Sequence, residues 1–268
     1  MRALDLLAQL VEIVAAIAVA PLFMGWVNQC RAWLQNRSAP SLLLPYRGIR
    51  KLFHKDAAIA YTASPLFRVA PYVVFGAMSL AATIIPSMST GLPFTTAADA
   101  IALVGLFATA RVFMALAAMD IGTAFGSLGA RREMMIGFLA EPALLMVIFV
   151  ASLISTTTAL PAITESLATR DFAIYPSLAF TAVAFTMVLL AENARIPIDN
   201  PATHLELTMI HEAMLLEYSA RHLALMEWAA DLKLFNYATI GFALFVPWGI
   251  STGERGFGTW SPPSRSCS

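Results

Sequence analysis

Long apolar runs alternate with short charged stretches along the whole chain, and the length of each run sets what it predicts. Residues 4 to 28 are apolar, interrupted by Glu12 and Pro21, and exceed the ~20 residues that a helix needs to cross about 30 Å of hydrocarbon. Further runs at 69 to 86, 101 to 119, 142 to 158 and 172 to 190 predict four more spans, and a sixth is expected over about 204 to 228. Residues 236 to 250 make a marginal seventh with Pro247 near its end. The expected fold is all-α: a polytopic membrane helix bundle of six clear transmembrane helices plus a marginal seventh, forming one membrane-embedded domain over residues 1 to 250. The remainder, 251 to 268, is polar and rich in Gly, Pro and Ser and reads as a disordered tail. The first run is too long for a signal-peptide core and lacks the combination of a basic start and a small-residue cleavage site, so it reads as a retained span.

Charge between the runs orients them. Residues 29 to 68 carry Arg31, Arg37, Arg47, Arg50, Lys51, Lys55 and Arg68 against Asp56 alone, the excess that marks a cytoplasmic loop. Within this loop, residues 44 to 53 place Leu, Ile and Phe on one side and Arg and Lys on the other, as an amphipathic surface helix would. Residues 87 to 98 have no Lys or Arg and suit an outer loop, as does the connection at 156 to 171. Residues 120 to 141 return to the cytoplasmic side with Arg131 and Arg132. Gly122, Gly126 and Gly129 predict an irregular backbone there, with the next helix beginning near Met134 and Pro142 in the first turn of span four. The N-terminus is therefore expected on the outer face of the cell inner membrane.

The stretch from 191 to 235 breaks the apolar pattern. A charge at mid-membrane costs roughly 2.5–3.5 kcal/mol on the lenient insertion scales, yet this stretch holds many. Glu206 and Glu217 are eleven residues apart, which returns a helix to nearly the same face, as are His211 and His222. Glu217 and Arg221 have the spacing of a helical ion pair, while Glu227 and Asp231 repeat it with like charges and invite a shared proton. Arg111 near the middle of span three needs a partner as well. The candidate ion path comprises Arg111, Asp120, Glu141, Glu192, Arg195, Asp199, His204, Glu206, Glu212, Glu217, Arg221, Glu227 and Asp231. Carboxylates in a low dielectric hold protons more tightly and nearby arginines loosen that hold, so such a set can relay protons. For each residue alone, a structural tie explains the charge equally well.

Composition narrows the rest. Apolar residues make up 59% of the chain and charged ones 13%, and the net charge is zero, which excludes an ordinary soluble domain and gives no footprint for nucleic acid. Cys30 and Cys267 form no cluster or zinc motif, and His211-Glu212 lacks a second histidine at 215, where Leu215 stands. The glycines at 122 to 129 lack a phosphate-loop pattern. No catalytic centre and no metal site of the chain's own is expected.

Arg195-Ile196-Pro197-Ile198-Asp199, preceded by Glu192 and followed by Glu206 and Glu217-Tyr218-Ser219, resembles the signature loop of the NADH dehydrogenase subunit 1 family of respiratory complex I. The run from Asp199 through Pro201-Ala202-Thr203-His204 to His211-Glu212 is similar to one branch of it, the membrane subunits of formate hydrogenlyase, hydrogenase-4 and related energy-converting nickel-iron hydrogenases. Asp120-x-Gly122, the glycine cluster, Arg132-Glu133-Met134 and Ala140-Glu141-Pro142 resemble the same branch. The resemblance implies a non-catalytic membrane anchor and coupling subunit that links electron transfer in a peripheral arm to proton or ion translocation. It implies as partners hydrogenase large and small subunits, a ferredoxin-like iron-sulfur subunit and antiporter-like membrane subunits, with the iron-sulfur clusters and NiFe centre on those partners and none here. It also implies that Arg37, Pro45, Arg47, Arg50 and Lys51, with Arg131 and Arg132, lie where the peripheral arm docks. The alternative is the quinone-site subunit of a complex I-like NADH:quinone oxidoreductase, with the same loops lining a quinone chamber. The family's members carry eight spans, whereas this sequence is expected to stop in or after its seventh.

Overall fold

The structure is a computed structural model that describes residues 2–85, 99–169, 176–196, 198–199 and 210–246. The residues described are almost wholly helical: α1 (Arg2–Leu34), α2 (Leu44–Phe53), α3 (Pro65–Ile84), α4 (Ala100–Asp120), α5 (Ala124–Ser155), α6 (Leu160–Thr169), α7 (Pro176–Glu192), α8 (His211–Leu215) and α9 (Ala220–Phe245). One isolated antiparallel bridge, Asp99 to Ala159, ties the start of α4 to the segment before α6. Gln9–Leu34, Pro65–Ile84, Ala100–Asp120 and Ala124–Ser155 are long and apolar enough to cross a membrane, and Pro176–Glu192 is a shorter apolar helix.

Local sequence explains the boundaries. Pro45 stands in the first turn of α2, where its missing N–H is not needed. Pro65 opens α3 behind the N-cap Ser64, whose Oγ accepts a hydrogen bond from Leu66 N at 3.1 Å. Thr156 closes α5 in the left-handed conformation, φ 60°. The surface helix occupies the residues expected of it, 44 to 53, with Ile49 on its buried side.

Three expectations are corrected. Residues 120 to 141 are not an irregular loop, because α5 runs unbroken from Ala124 to Ser155 with Gly126, Gly129, Gly137 and Pro142 inside it. These glycines permit close packing rather than turns: a Cβ on Gly126 would lie 2.7 Å from the Ala118 carbonyl oxygen, and one on Gly129 would lie 2.9 Å from that of Ile210. Among the described glycines, only Gly122, at φ 77°, uses the left-handed freedom of the residue. Nor do the described residues of the expected sixth span, 210 to 228, form one helix. Tyr218 and Ser219 are non-helical, Ala220 has φ 50°, and α9 then continues to Phe245. The apolar part of the marginal seventh span, to Phe245, is therefore the second half of α9. Similarly, α6 occupies much of the expected loop at 156 to 171.

The core is mainly apolar, yet several charged groups are buried in it while large apolar side chains point outward. Arg111, Glu133, Glu192 and Asn236 are all buried, whereas Met135, Phe138 and Leu139 of α5 are 72–78% exposed. In water this would be unfavourable. It suits a bilayer, where charged groups face the bundle interior and apolar ones face lipid. The central helix is α9, which packs against α1, α2, α3 and α7. Its Tyr237 stacks on Phe107 at 4.8 Å, and its Asn236 Nδ2 donates to the Met78 carbonyl at 2.9 Å. Trp228 anchors the other end, donating from Nε1 to the Ile17 carbonyl at 2.9 Å while meeting Phe53 edge-on.

Candidate functional site

Arg111 lies midway along α4, and α5 crosses it with Glu133, Gly137 and Glu141 at one-turn intervals on one face. Gly137 makes the room: a Cβ there would fall 2.7 Å from Arg111 Cδ. The guanidinium passes over this gap and donates to Glu141 from Nη1 and to Glu192 of α7 from Nη2, while Nε stays 3.6 Å from Glu133 Oε1. Lys233 of α9 reaches Glu192 Oε2 at 2.9 Å. Four helices thus converge on one buried cluster in which two cations face three carboxylates. A planar five-donor guanidinium suits this place, since it can serve several carboxylates at once. Burying the set costs several kcal/mol per ion before pairing offsets it.

A cavity of about 470 Å³ opens beside this cluster. Arg111, Glu192 and Lys233 line it, as do Glu227 and Asp231 of α9 and Arg195, whose charge interacts with that of Asp231. Its apolar lining includes Leu44, Pro45 and Ile49 of α2, Met24 of α1, and Met78, Phe107 and Met114 of α3 and α4. Arg195 Nη2 lies 3.2 Å from Met24 Sδ. Tyr46 on α2 holds its phenol proton more tightly than usual, through burial and then the nearby Asp231 charge.

Asn193, Ala194, Arg195 and Asp199, which follow α7, also line the cavity. Ala194 ends the helix in the left-handed conformation, φ 48°. Asp199, 4% exposed, then accepts hydrogen bonds from the backbone N–H groups of Ile210 at 3.3 Å and His211 at 3.0 Å. It thereby holds the start of α8 against the loop. Partly buried His211 is pushed down to about 4 by burial, then by the Lys233 and Arg195 charges, so it is neutral at physiological pH.

Of the residues singled out in the sequence, Arg111, Glu141, Glu192, Arg195, Asp199, Glu227 and Asp231 come together around the cluster and cavity, and Glu212 stands at the cavity rim. Asp120 does not join them. Its Oδ2 accepts from the Ser64 N–H at 2.9 Å, tying α4 to the start of α3. Glu217 and Arg221 are exposed at the break between α8 and α9, which separates the 217–221 pair expected on one helix; the expected common face of Glu217 with Glu206 lies outside the described residues. His204 and Glu206 lie outside the described residues. His222 is buried against Tyr72, ring edge to face at 6.1 Å. Arg37, Arg47, Arg50, Lys51 and Arg131 are exposed and Arg132 partly so, while Pro45 faces the cavity.

Two members of the cluster were missed in the sequence, Glu133 and Lys233. Glu133 follows Arg131-Arg132 and reads as part of a charged loop. The signal was the spacing Glu133-x3-Gly137-x3-Glu141, which only a continuous helix makes meaningful. Lys233 was overshadowed by Asp231, although a lysine between apolar neighbours in a bilayer helix requires a partner. Among the described residues, no group of three or more His, Cys, Asp or Glu side chains could hold a metal ion.

Residues 7–260 match the NADH dehydrogenase family. The chain is 33% identical over 246 residues to formate hydrogenlyase subunit 4 of Escherichia coli K12, covering 92% of this chain and 79% of that protein. It is 34% identical over 241 residues to hydrogenase-4 component C of the same organism, covering 90% and 75%. Among solved structures, the fold is similar to a chain of the membrane-bound sulfane sulfur reductase, an archaeal respiratory membrane complex, with a TM-score of 0.74, 20% identity and coverage of 90% of this chain and 78% of that one. A match across nearly the whole length, with relatives above 30% identity, makes the chain a member of the NADH dehydrogenase family.

Proposed function

We propose that this protein is the membrane anchor and coupling subunit of an energy-converting hydrogenase or formate hydrogenlyase complex. The observation that carries the reading is the buried Arg111–Glu133–Glu141–Glu192–Lys233 cluster opening onto a cavity lined by Glu227 and Asp231. A purely structural bundle has no need for so many ions in its interior, because apolar replacements of similar volume are often as stable. The branch similarity to formate hydrogenlyase subunit 4 and hydrogenase-4 component C supports the same reading.

In this reading α1, α3, α4, α5, α7 and α9 are six crossings. The basic residues of 29 to 68 and the start of α5 lie on the cytoplasmic side, and the N-terminus lies outside. Arg37, Arg131 and Arg132 face the peripheral arm. Hydrogenase-type large and small subunits and a ferredoxin-like subunit carry the NiFe and iron-sulfur centres, and antiporter-like subunits lie beside the chain in the membrane. A redox event at the arm reorients the Arg195 to Asp199 loop, and the change in local charge at Asp231 and Glu192 shifts the proton balance of the cluster. The path runs through Glu141, Glu192, Arg195, Glu227 and Asp231, with Asp199 holding its gate.

The cavity favours a second reading, a quinone-site subunit, because its lining is largely apolar with a few polar groups among it, as in organic cofactor sites. Purification of the assembled complex separates the two. A co-purifying nickel-iron subunit without quinone supports the first, and bound quinone with no nickel supports the second.

A further inference from the structure

We propose that the outer stripe of α2 binds the phosphate headgroup of an anionic phospholipid of the bilayer. Arg47, Arg50, Lys51 and His54 follow the i, i+3, i+4, i+7 spacing of one helical face. All four are exposed and together line one shallow depression. Among the described residues none of them forms an ion pair. The opposite face is committed to the protein, with Ile49 buried and Phe53 against Trp228.

The neighbourhood of the stripe fits an amphiphile better than a protein surface. The segment entering α2 is pressed on α1 at Gly25, where a Cβ would sit 3.0 Å from the Leu42 carbonyl carbon. One turn on, Gln29 Nε2 donates to the Pro40 carbonyl at 2.9 Å. These contacts fix α2 beside the last turns of α1, where Trp33 and Leu34 are 61% and 89% exposed next to the basic Arg31. Exposed indole and leucine side chains beside arginine, at the end of an apolar helix, are the composition of a membrane interface. Leu43 and Leu44, which lead into the basic stripe along the chain, are about half exposed. The stripe thus offers cations for a phosphate and an apolar rim for acyl chains, the pairing by which basic amphipathic helices hold anionic membranes. Because the inner face of α2 walls the cavity through Pro45 and Ile49, a headgroup bound outside would also hold that wall in place.

The test uses the full chain purified in detergent and titrated with short-chain phosphatidylglycerol, short-chain phosphatidylcholine and inorganic phosphate, with bound lipid read by native mass spectrometry. Saturable binding of phosphatidylglycerol, at least tenfold tighter than phosphatidylcholine and weakened by salt, is expected. The triple variant Arg47→Gln/Arg50→Gln/Lys51→Gln should lose at least tenfold, Lys51→Gln alone about threefold, and Arg131→Gln/Arg132→Gln nothing, with helical circular dichroism retained throughout. Equal binding of the two lipids overturns the proposal, as does inorganic phosphate binding as tightly as phosphatidylglycerol. It is also overturned if the triple variant binds phosphatidylglycerol normally but loses peripheral subunits from the assembled complex, which would assign the stripe to protein docking.

Discussion

Arg111 and Glu192, separated by 81 residues, meet in a buried hydrogen bond that joins α4 to the end of α7. The contact needs Gly137 on the intervening face of α5 and Lys233 on the far side of Glu192. Each of these positions therefore has a different predicted response to substitution.

Replacing Arg111 with Leu strands Glu133, Glu141 and Glu192 beside a single lysine. Removal of one partner of a buried ion pair costs about 3–5 kcal/mol, so thermal unfolding in detergent is expected to show a large fall in Tm. Arg111→Lys keeps the charge but not the fork and should recover part of that loss. Gly137→Ala, which pushes on the guanidinium without altering charge, should destabilise by about 1–3 kcal/mol.

Asp199 accepts two backbone N–H groups, so Asp199→Ala leaves both donors without their acceptor. A hydrogen bond to a charged group contributes about 1.5–3 kcal/mol, and the effect should be local. Faster hydrogen exchange over Ile210 to Leu215, with α3, α4 and α5 unchanged, is the expected result.

Trp228 holds α1, α2 and α9 together. Trp228→Phe removes only the bond to the Ile17 carbonyl, a loss of about 1 kcal/mol, whereas Trp228→Ala empties the contact with Phe53 and Phe75 and should cost about 3–5 kcal/mol. Thermal unfolding distinguishes the two, and limited proteolysis near α2 should accelerate only in the alanine variant.

The lowered His211 value sets a pH dependence. Above its ordinary value of 6.5 the ring is neutral in both folded and unfolded chains, and it contributes nothing. Between 6.5 and about 4 the unfolded chain takes up a proton that the folded chain refuses, so stability falls as pH falls, and the effect levels off below about 4. With partial exposure, the loss should be no more than about 2 kcal/mol. His211→Gln should flatten the stability profile over that window.

Run length predicted most of the long helices, because the bilayer imposes a minimum apolar length. The surface helix at 44 to 53 was legible for the same kind of reason, since its two faces differ sharply. The glycines of α5 were misread because local composition cannot distinguish a glycine that turns the chain from one, such as Gly129 or Gly137, that admits a neighbour. The break before Ala220 was invisible because Ala and Ser have no strong signal for ending a helix, and tertiary contacts such as Tyr218 Oη donating to the Phe67 carbonyl at 3.2 Å impose it. That break moves Glu217 and Arg221 to the surface and transfers the electrostatic penalty to residues contributed by four separate helices. Such a convergence cannot be read from spacing along one of them.

The most direct measurement is ion movement per electron in membrane vesicles carrying the assembled complex with Lys233→Met, compared with Lys233→Arg. If the buried cluster couples the two, Lys233→Met assembles and transfers electrons but translocates at least tenfold fewer ions per electron, while Lys233→Arg retains most of the coupling. Unaltered translocation by an assembled Lys233→Met complex would contradict a coupling role for the cluster.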